Sequence, residues 1–145
     1  MAGGELASML TLDTSGLVAL INPDDRYHAD CVALFGAERD LPIIPMPIMA
    51  EIAYILEARG GHRLLLDLLA DLEARAYAID CGDHDFGRIE SLIRRYDDLR
   101  LGFADAAVVA CAERHDGRVM TIDRRHFPVV ARGEGTIVVL PEIVG

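Results

Sequence analysis

Four carboxylates stand in this chain where apolar surroundings give an acid little reason to be. Asp13 closes the apolar stretch Met9-Leu10-Thr11-Leu12, and Asp123 closes Arg118–Ile122 in the same manner. If both stretches are strands of one sheet, both acids project from its carboxyl edge. Each has a plain alternative, because Asp is a favoured helix N-cap and turn residue. Glu51 falls between Ile48 at i−3 and Ile55 at i+4, which puts it on the apolar stripe of a helix opening at Pro47. A carboxylate buried there needs a cation, a donor set or a proton; a salt bridge to a nearby Arg is the competing account. Asp105 lies in Gly102-Phe103-Ala104-Asp105-Ala106-Ala107-Val108-Val109, the most apolar stretch of the chain. A helix N-terminus accounts for an acid there through the helix dipole, but apolar neighbours on every side favour a functional role.

Gathered into one pocket, four such groups repel one another and are stable only with bound cations. Ligands that are all oxygen point to Mg²⁺ or Mn²⁺ rather than zinc. The chemistry that suits them is phosphodiester or phosphate hydrolysis, in which a metal activates water and offsets the developing negative charge. No GxSxG elbow, P-loop or dinucleotide fingerprint offers a rival mechanism. None of the five histidines has ligand spacing. His126, close to Asp123, is read mainly as a packing or capping residue.

The elements that must bring the acids together alternate along the chain. Residues 9–13, Leu41–Pro45, Ala76–Asp80, Arg118–Asp123 and Thr136–Leu140 read as five short strands. Helices are expected between them. One is stopped at Gly60-Gly61, another covers the Leu-rich 62–74 segment, and a single turn is expected at Asp123–Phe127. The pattern predicts a three-layer α/β/α sandwich with a mostly parallel central sheet, and one domain over residues 1–145. In such sheets ligands sit at the carboxyl ends of the strands, beside a topological switch point.

Composition narrows the setting. A chain of 145 residues, 52% hydrophobic, can bury a sizeable core. Cys31, Cys81 and Cys111 are odd in number and far apart, so they read as reduced core fillers rather than a disulfide framework. No run reaches the roughly 18–20 apolar residues of a membrane span. The opening MAGGELASML has no positive charge of a signal peptide, so a cytoplasmic protein is expected. The net charge of −10 argues against a nucleic-acid binder unless cations intervene. All 14 basic residues are arginines, nine of them from Arg88 to Arg132. Arg94, Arg95, Arg124 and Arg125 are the candidates for phosphate contacts, against a plain role as solvated surface.

The segments LDTSGLVAL, MAEIAYIL, LGFADAAVVACAE and TIDRRHF, in this order, resemble the acidic motifs of PIN-domain ribonucleases, and VapC-type toxins in particular. The Tyr96-Asp97-Asp98-Leu99 lead-in and the closing VVLPE resemble the same group. The resemblance implies that Asp13, Glu51, Asp105 and Asp123 hold Mg²⁺ or Mn²⁺, Asp123 directly or through water. It implies that Thr14, Ser15 and Thr121 support the carboxylates. It further implies an endoribonuclease that arrests translation, leaves a 5′-phosphate and a 3′-hydroxyl, forms a homodimer and is held by a VapB-like antitoxin that places a side chain in the acidic pocket. Two other readings stand beside it. One is a PIN-fold module that binds RNA or protein without cutting. The other is a phosphomonoesterase of the haloacid-dehalogenase type, which generally wants a second Asp where Ser15 stands.

Overall fold

In a computed structural model that describes residues 8–143, five short strands form one parallel sheet. They are β1 (Thr11–Leu12), β2 (Ile43–Pro45), β3 (Ala78–Asp80), β4 (Arg118–Met120) and β5 (Val138–Leu140). Six helices connect and cover them: α1 (Thr14–Ile21), α2 (His28–Gly36), α3 (Met49–Glu73), α4 (Phe86–Arg95), α5 (Phe103–Arg114) and α6 (Phe127–Glu134). Successive residues of the central strands are buried on both sides: Thr11 and Leu12, Ile43 and Ile44, Val119 and Met120. A sheet buried on both faces must be clad by helices above and below, the expected α/β/α sandwich. The first seven residues, on which part of the signal-peptide expectation rests, lie outside the described residues. No helix among the described residues is long and apolar enough to cross a membrane.

The strand order is β3-β2-β1-β4-β5. The chain runs outward from β1 through β2 to β3, then returns to the other side of β1 to lay down β4 and β5. The direction of winding therefore reverses between β1 and β4, and the connections leaving the carboxyl ends of these two strands part to opposite sides, opening a crevice. Their ends are tied where the Asp13 N–H donates to the Met120 carbonyl at 3.0 Å. Helix α5, buried from Ala106 to Ala112, packs on β1, β2 and β4 and brings its N-terminus to the same crevice.

The expected break at Gly60-Gly61 is present. Gly61 has φ +60° and ψ −156°, which interrupts α3 between two helical halves. Two expectations shift. Strand β4 ends at Met120, so Asp123 lies in a turn beyond the strand rather than at its tip. The single turn expected after Asp123 continues as the eight-residue α6, because Phe127 and Val130 are buried and anchor it.

Close contact between α1 and β4 sets the width of the crevice. A Cβ built on Gly16 would stand 2.3 Å from the Met120 carbonyl oxygen, so only glycine fits. Gly16→Ala is expected to destabilise the protein by about 1–3 kcal/mol despite the better helix propensity of Ala. Gly36→Ala, at an exposed position with no heavy atom within 4 Å, serves as the neutral control in the same urea-unfolding series.

Candidate active site

The crevice is a pocket of about 220 Å³ lined by Asp13, Thr14, Ser15, Val18, Asp25, Glu51, Ile55, Arg59, Asp105, Ile122 and Asp123. All four acids singled out from the sequence line it, delivered by four separate segments.

Asp13 holds the N-cap position of α1 but makes no side-chain cap hydrogen bond. Instead Oδ2 accepts hydrogen bonds from the Thr121 hydroxyl at 2.7 Å and the Ser15 hydroxyl at 2.8 Å. Asp13 thus keeps the N-cap position of α1, while its carboxylate is held chiefly by the two hydroxyls, with a lesser contribution from the Thr14 N–H. The Ser15 hydroxyl in turn accepts from the Ile122 N–H at 3.1 Å, and the Thr121 hydroxyl accepts from the Asp123 N–H at 3.0 Å. The two hydroxyls thus lock the start of α1 to the turn after β4. Thr14 differs from the expectation that it supports a carboxylate: the residue lines the pocket, but its Oγ1 is buried without a hydrogen-bond partner.

Burial is the dominant influence on Asp13 and pushes its carboxyl up to about 6, against the pull of the two hydroxyls and with a push from Asp105. Asp105 is also held above the ordinary carboxylate range, first by burial. The nearby His126 opposes that rise, whereas Asp123 and Glu51 add to it. As the third residue of α5, Asp105 also gains from the backbone N–H of Gly102 at the helix start. These mutual repulsions show that the acids share one electrostatic field.

Asp123 is the most committed locally. Its Oδ1 accepts from the Arg125 N–H at 2.8 Å and the His126 N–H at 3.1 Å, and its Oδ2 lies 2.9 Å from His126 Nδ1. Burial works to raise its pKa, but these hydrogen bonds prevail and hold it below the usual value. The turn account of Asp123 is therefore real, and coexists with its place on the pocket wall.

Glu51 departs from expectation: it is exposed, not core-facing. The buried stripe of this segment is Ile48, Ile52 and Leu56. Glu51 lies on the flank of that stripe, in line with Ile55 and Arg59, and this flank faces the pocket. Of the four arginines proposed for phosphate contact, none lines the pocket. Arg94 pairs with Glu90 and Arg95 with Glu134, while Arg124 donates to the Pro141 carbonyl. Sequence reasoning missed Asp25 and Arg59. The one signal for Arg59 was its spacing of eight residues from Glu51, two helical turns on the same face.

The donor set fits a hard divalent cation. It consists of oxygens alone, and two of its carboxyls resist ionisation without a compensating charge. A second cluster, Asp80, Cys111 and His115, is the one trio among the described residues whose ligand atoms all lie within 4.8 Å of one another. It needs no metal. Arg114 forms a two-pronged ion pair with Asp80 at 2.7 and 2.9 Å, and His115 Nε2 stands 2.8 Å from the same carboxylate. Hydrogen bonds from Arg114, above all, hold Asp80 at about 2. This is an ion-pair network that ties β3 to the end of α5.

The raised Asp13 carboxyl sets a sign for stability. Its folded pKa lies above the unfolded value of 3.8, so the folded state binds the extra proton between about pH 4 and pH 6, and metal-free stability falls as pH rises through that window. Asp13→Asn removes this loss. The variant is expected to exceed metal-free wild type by up to about 3 kcal/mol at pH 7.5, and by little at pH 4. Urea unfolding in EDTA at the two pH values checks this.

Comparison with known proteins agrees with the geometry. Ribonuclease VapC26 of Mycobacterium tuberculosis (strain ATCC 25618 / H37Rv) is 30% identical over 135 residues, which span 91% of this chain and all of the relative. The crystal structure of M. tuberculosis VapC20, a Sarcin-Ricin loop cleaving toxin, superposes with a TM-score of 0.73 over 83% of this chain and 94% of that one. At 20% identity, that likeness speaks for the fold. The PIN domain family matches residues 10–133, from the start of β1 to near the end of α6, and the chain belongs to that family.

Proposed function

We propose that this chain is a divalent-metal-dependent endoribonuclease, the toxin of a toxin–antitoxin pair. The observation that carries the reading is the acidic pocket at the β1/β4 switch point, with a buried Asp13 held by Ser15 and Thr121. The full-length likeness to Ribonuclease VapC26 supports RNA as the substrate. In this reading Asp13, Glu51 and Asp105 hold the cation, Mg²⁺ or Mn²⁺. Asp123, whose oxygens already serve Arg125 and His126, acts through water.

When bound, the cation supplies an activated water nucleophile and positive charge against the developing phosphorane. The protein supplies the rest. Thr121 and Ser15 fix the Asp13 rotamer, and α5 turns its positive end toward the pocket through Gly102 and Asp105. His126 sets its ring beside Asp123, with Nδ1 2.9 Å from Oδ2. Attack in line with the leaving oxygen gives a 5′-phosphate and a 3′-hydroxyl and makes no use of the RNA 2′-hydroxyl. We further propose that the protein works as one domain in the cytoplasm, as a homodimer restrained by a VapB-like antitoxin.

Cleavage of a mixed RNA pool with Mg²⁺, Mn²⁺ or EDTA tests the activity. Wild type is expected to make discrete cuts that EDTA abolishes, and Asp105→Asn is expected to make none. Thr121→Val, which removes a hydroxyl behind Asp13 and keeps its volume, is expected to cost about 10–100-fold in rate. Metal-dependent stabilisation without cuts in any pool would favour a binding module instead.

A further inference from the structure

We infer that Arg59 is a substrate-binding residue that grips the RNA phosphate next to the scissile one, an inference that rests on the ribonuclease reading above. Among the described residues Arg59 is the one basic residue lining the pocket, beside five carboxylates: Asp13, Asp25, Glu51, Asp105 and Asp123. A polyanion that enters such a pocket needs positive charge at its mouth, beyond any cation at its floor. The chain as a whole, at net charge −10, repels a polyanion, which makes a cation at this mouth the more needed.

The position of Arg59 follows from its helix. Glu51, Ile55 and Arg59 recur every four residues and line the pocket together. Along α3 the backbone of Arg59 stands about 12 Å beyond that of Glu51. Helical side chains lean toward the N-terminus, so the guanidinium reaches back over Ile55 toward the acids. The Gly61 break two residues on fixes the end of this half of α3. Arg59 thus sits in a last helical turn, where a cation is favoured.

The guanidinium is placed yet uncommitted. Its ion contact is to Asp25 Oδ2 at 3.7 Å through a single nitrogen, and its side chain is 55% exposed. Asp25 itself is well buried, with its other oxygen accepting from the Tyr27 N–H at 2.9 Å. At 3.7 Å the pair is too long for a good hydrogen bond and orients the arginine without consuming its donors. Arg88, Arg114 and Arg118, by contrast, are locked into carboxylates by two-pronged hydrogen bonds of 2.7–2.9 Å. An arginine fork left open beside a hydrolytic pocket matches two oxygens of one phosphate.

The test is steady-state kinetics on a short single-stranded RNA that wild type cuts, over a series of KCl concentrations and a separate Mn²⁺ series. Arg59→Gln is expected to raise KM roughly tenfold at low salt with kcat unchanged. It should also flatten the dependence of log kcat/KM on log salt by about 0.7, the loss of one single-strand phosphate contact. Arg59→Lys should keep the wild-type salt slope with an intermediate KM. The Mn²⁺ concentration for half-maximal rate should stay the same or fall in Arg59→Gln, because a positive charge has left the pocket. An unchanged KM and salt slope would overturn the inference. So would a fall in kcat with a raised Mn²⁺ requirement, the mark of a distorted pocket. If wild type cuts no RNA while Asp105→Asn behaves identically, the ribonuclease reading itself fails, and the role of Arg59 with it.

Discussion

Asp13 lies almost wholly out of water, within the electrostatic reach of Asp105, and its carboxyl is consequently pushed up to about 6. Burial of an uncompensated carboxylate is among the costlier things a fold can do. Here the cost is moderated by two hydroxyls, from Ser15 and Thr121, which point at the same oxygen. Both come from segments that the α1–β4 contact holds together, and Gly16 permits that contact by having no Cβ. The tolerance of one buried acid therefore reaches into the packing of a helix on a strand. It explains why short strands suffice: β1 needs only to deliver Asp13 to the level where β4 delivers Thr121.

The other acids relate to Asp13 in graded fashion. Asp105, half-buried, shares its resistance to ionisation. Asp123 is spoken for by backbone N–H groups and His126, and stays ionised readily. Glu51 is exposed and reaches in from the rim. Such a gradient suits a cation site open on one side, with fixed ligands deep and an adaptable one at the mouth. The same arrangement penalises the metal-free protein near neutral pH, a trade of stability for function that recurs at active sites.

Much of this was legible in the sequence. The alternation of short apolar runs with helical periods gave the sheet and its cladding, since fully buried parallel strands leave a near-continuous apolar signature. Asp105 stands out because its apolar neighbours do not explain an acid, whereas Asp13 reads equally well as a helix cap and gains its weight from the ordered motifs. What failed to show was whatever depends on the rotation of a helix or the course of a turn. Glu51 was placed in the core because Ile48 and Ile55 flank it, but Ile55 faces the pocket and the core stripe is one step around the helix. α6 was shortened to a turn because its apolar anchors Phe127 and Val130 span barely one period. Arg59 was hidden by composition: clusters of arginines toward the carboxyl half drew attention, and those largely serve ion pairs on the surface. Asp25 sits in a polar loop whose sequence resembles any turn, and only the tertiary fold brings it to the pocket.

The account turns on one claim, that the charge gathered around Asp13 is balanced by a proton below about pH 6 and by a divalent cation above it. Calorimetric titration of the protein with Mn²⁺, in paired buffers of different ionisation enthalpy, measures the exchange directly. At pH 5.5 binding should release about three-quarters of a proton per cation from Asp13 in wild type, and that release should all but vanish at pH 8 and be markedly smaller at pH 5.5 in Asp13→Asn. Saturable binding with no proton release at pH 5.5, or no saturable binding at all, would contradict the account.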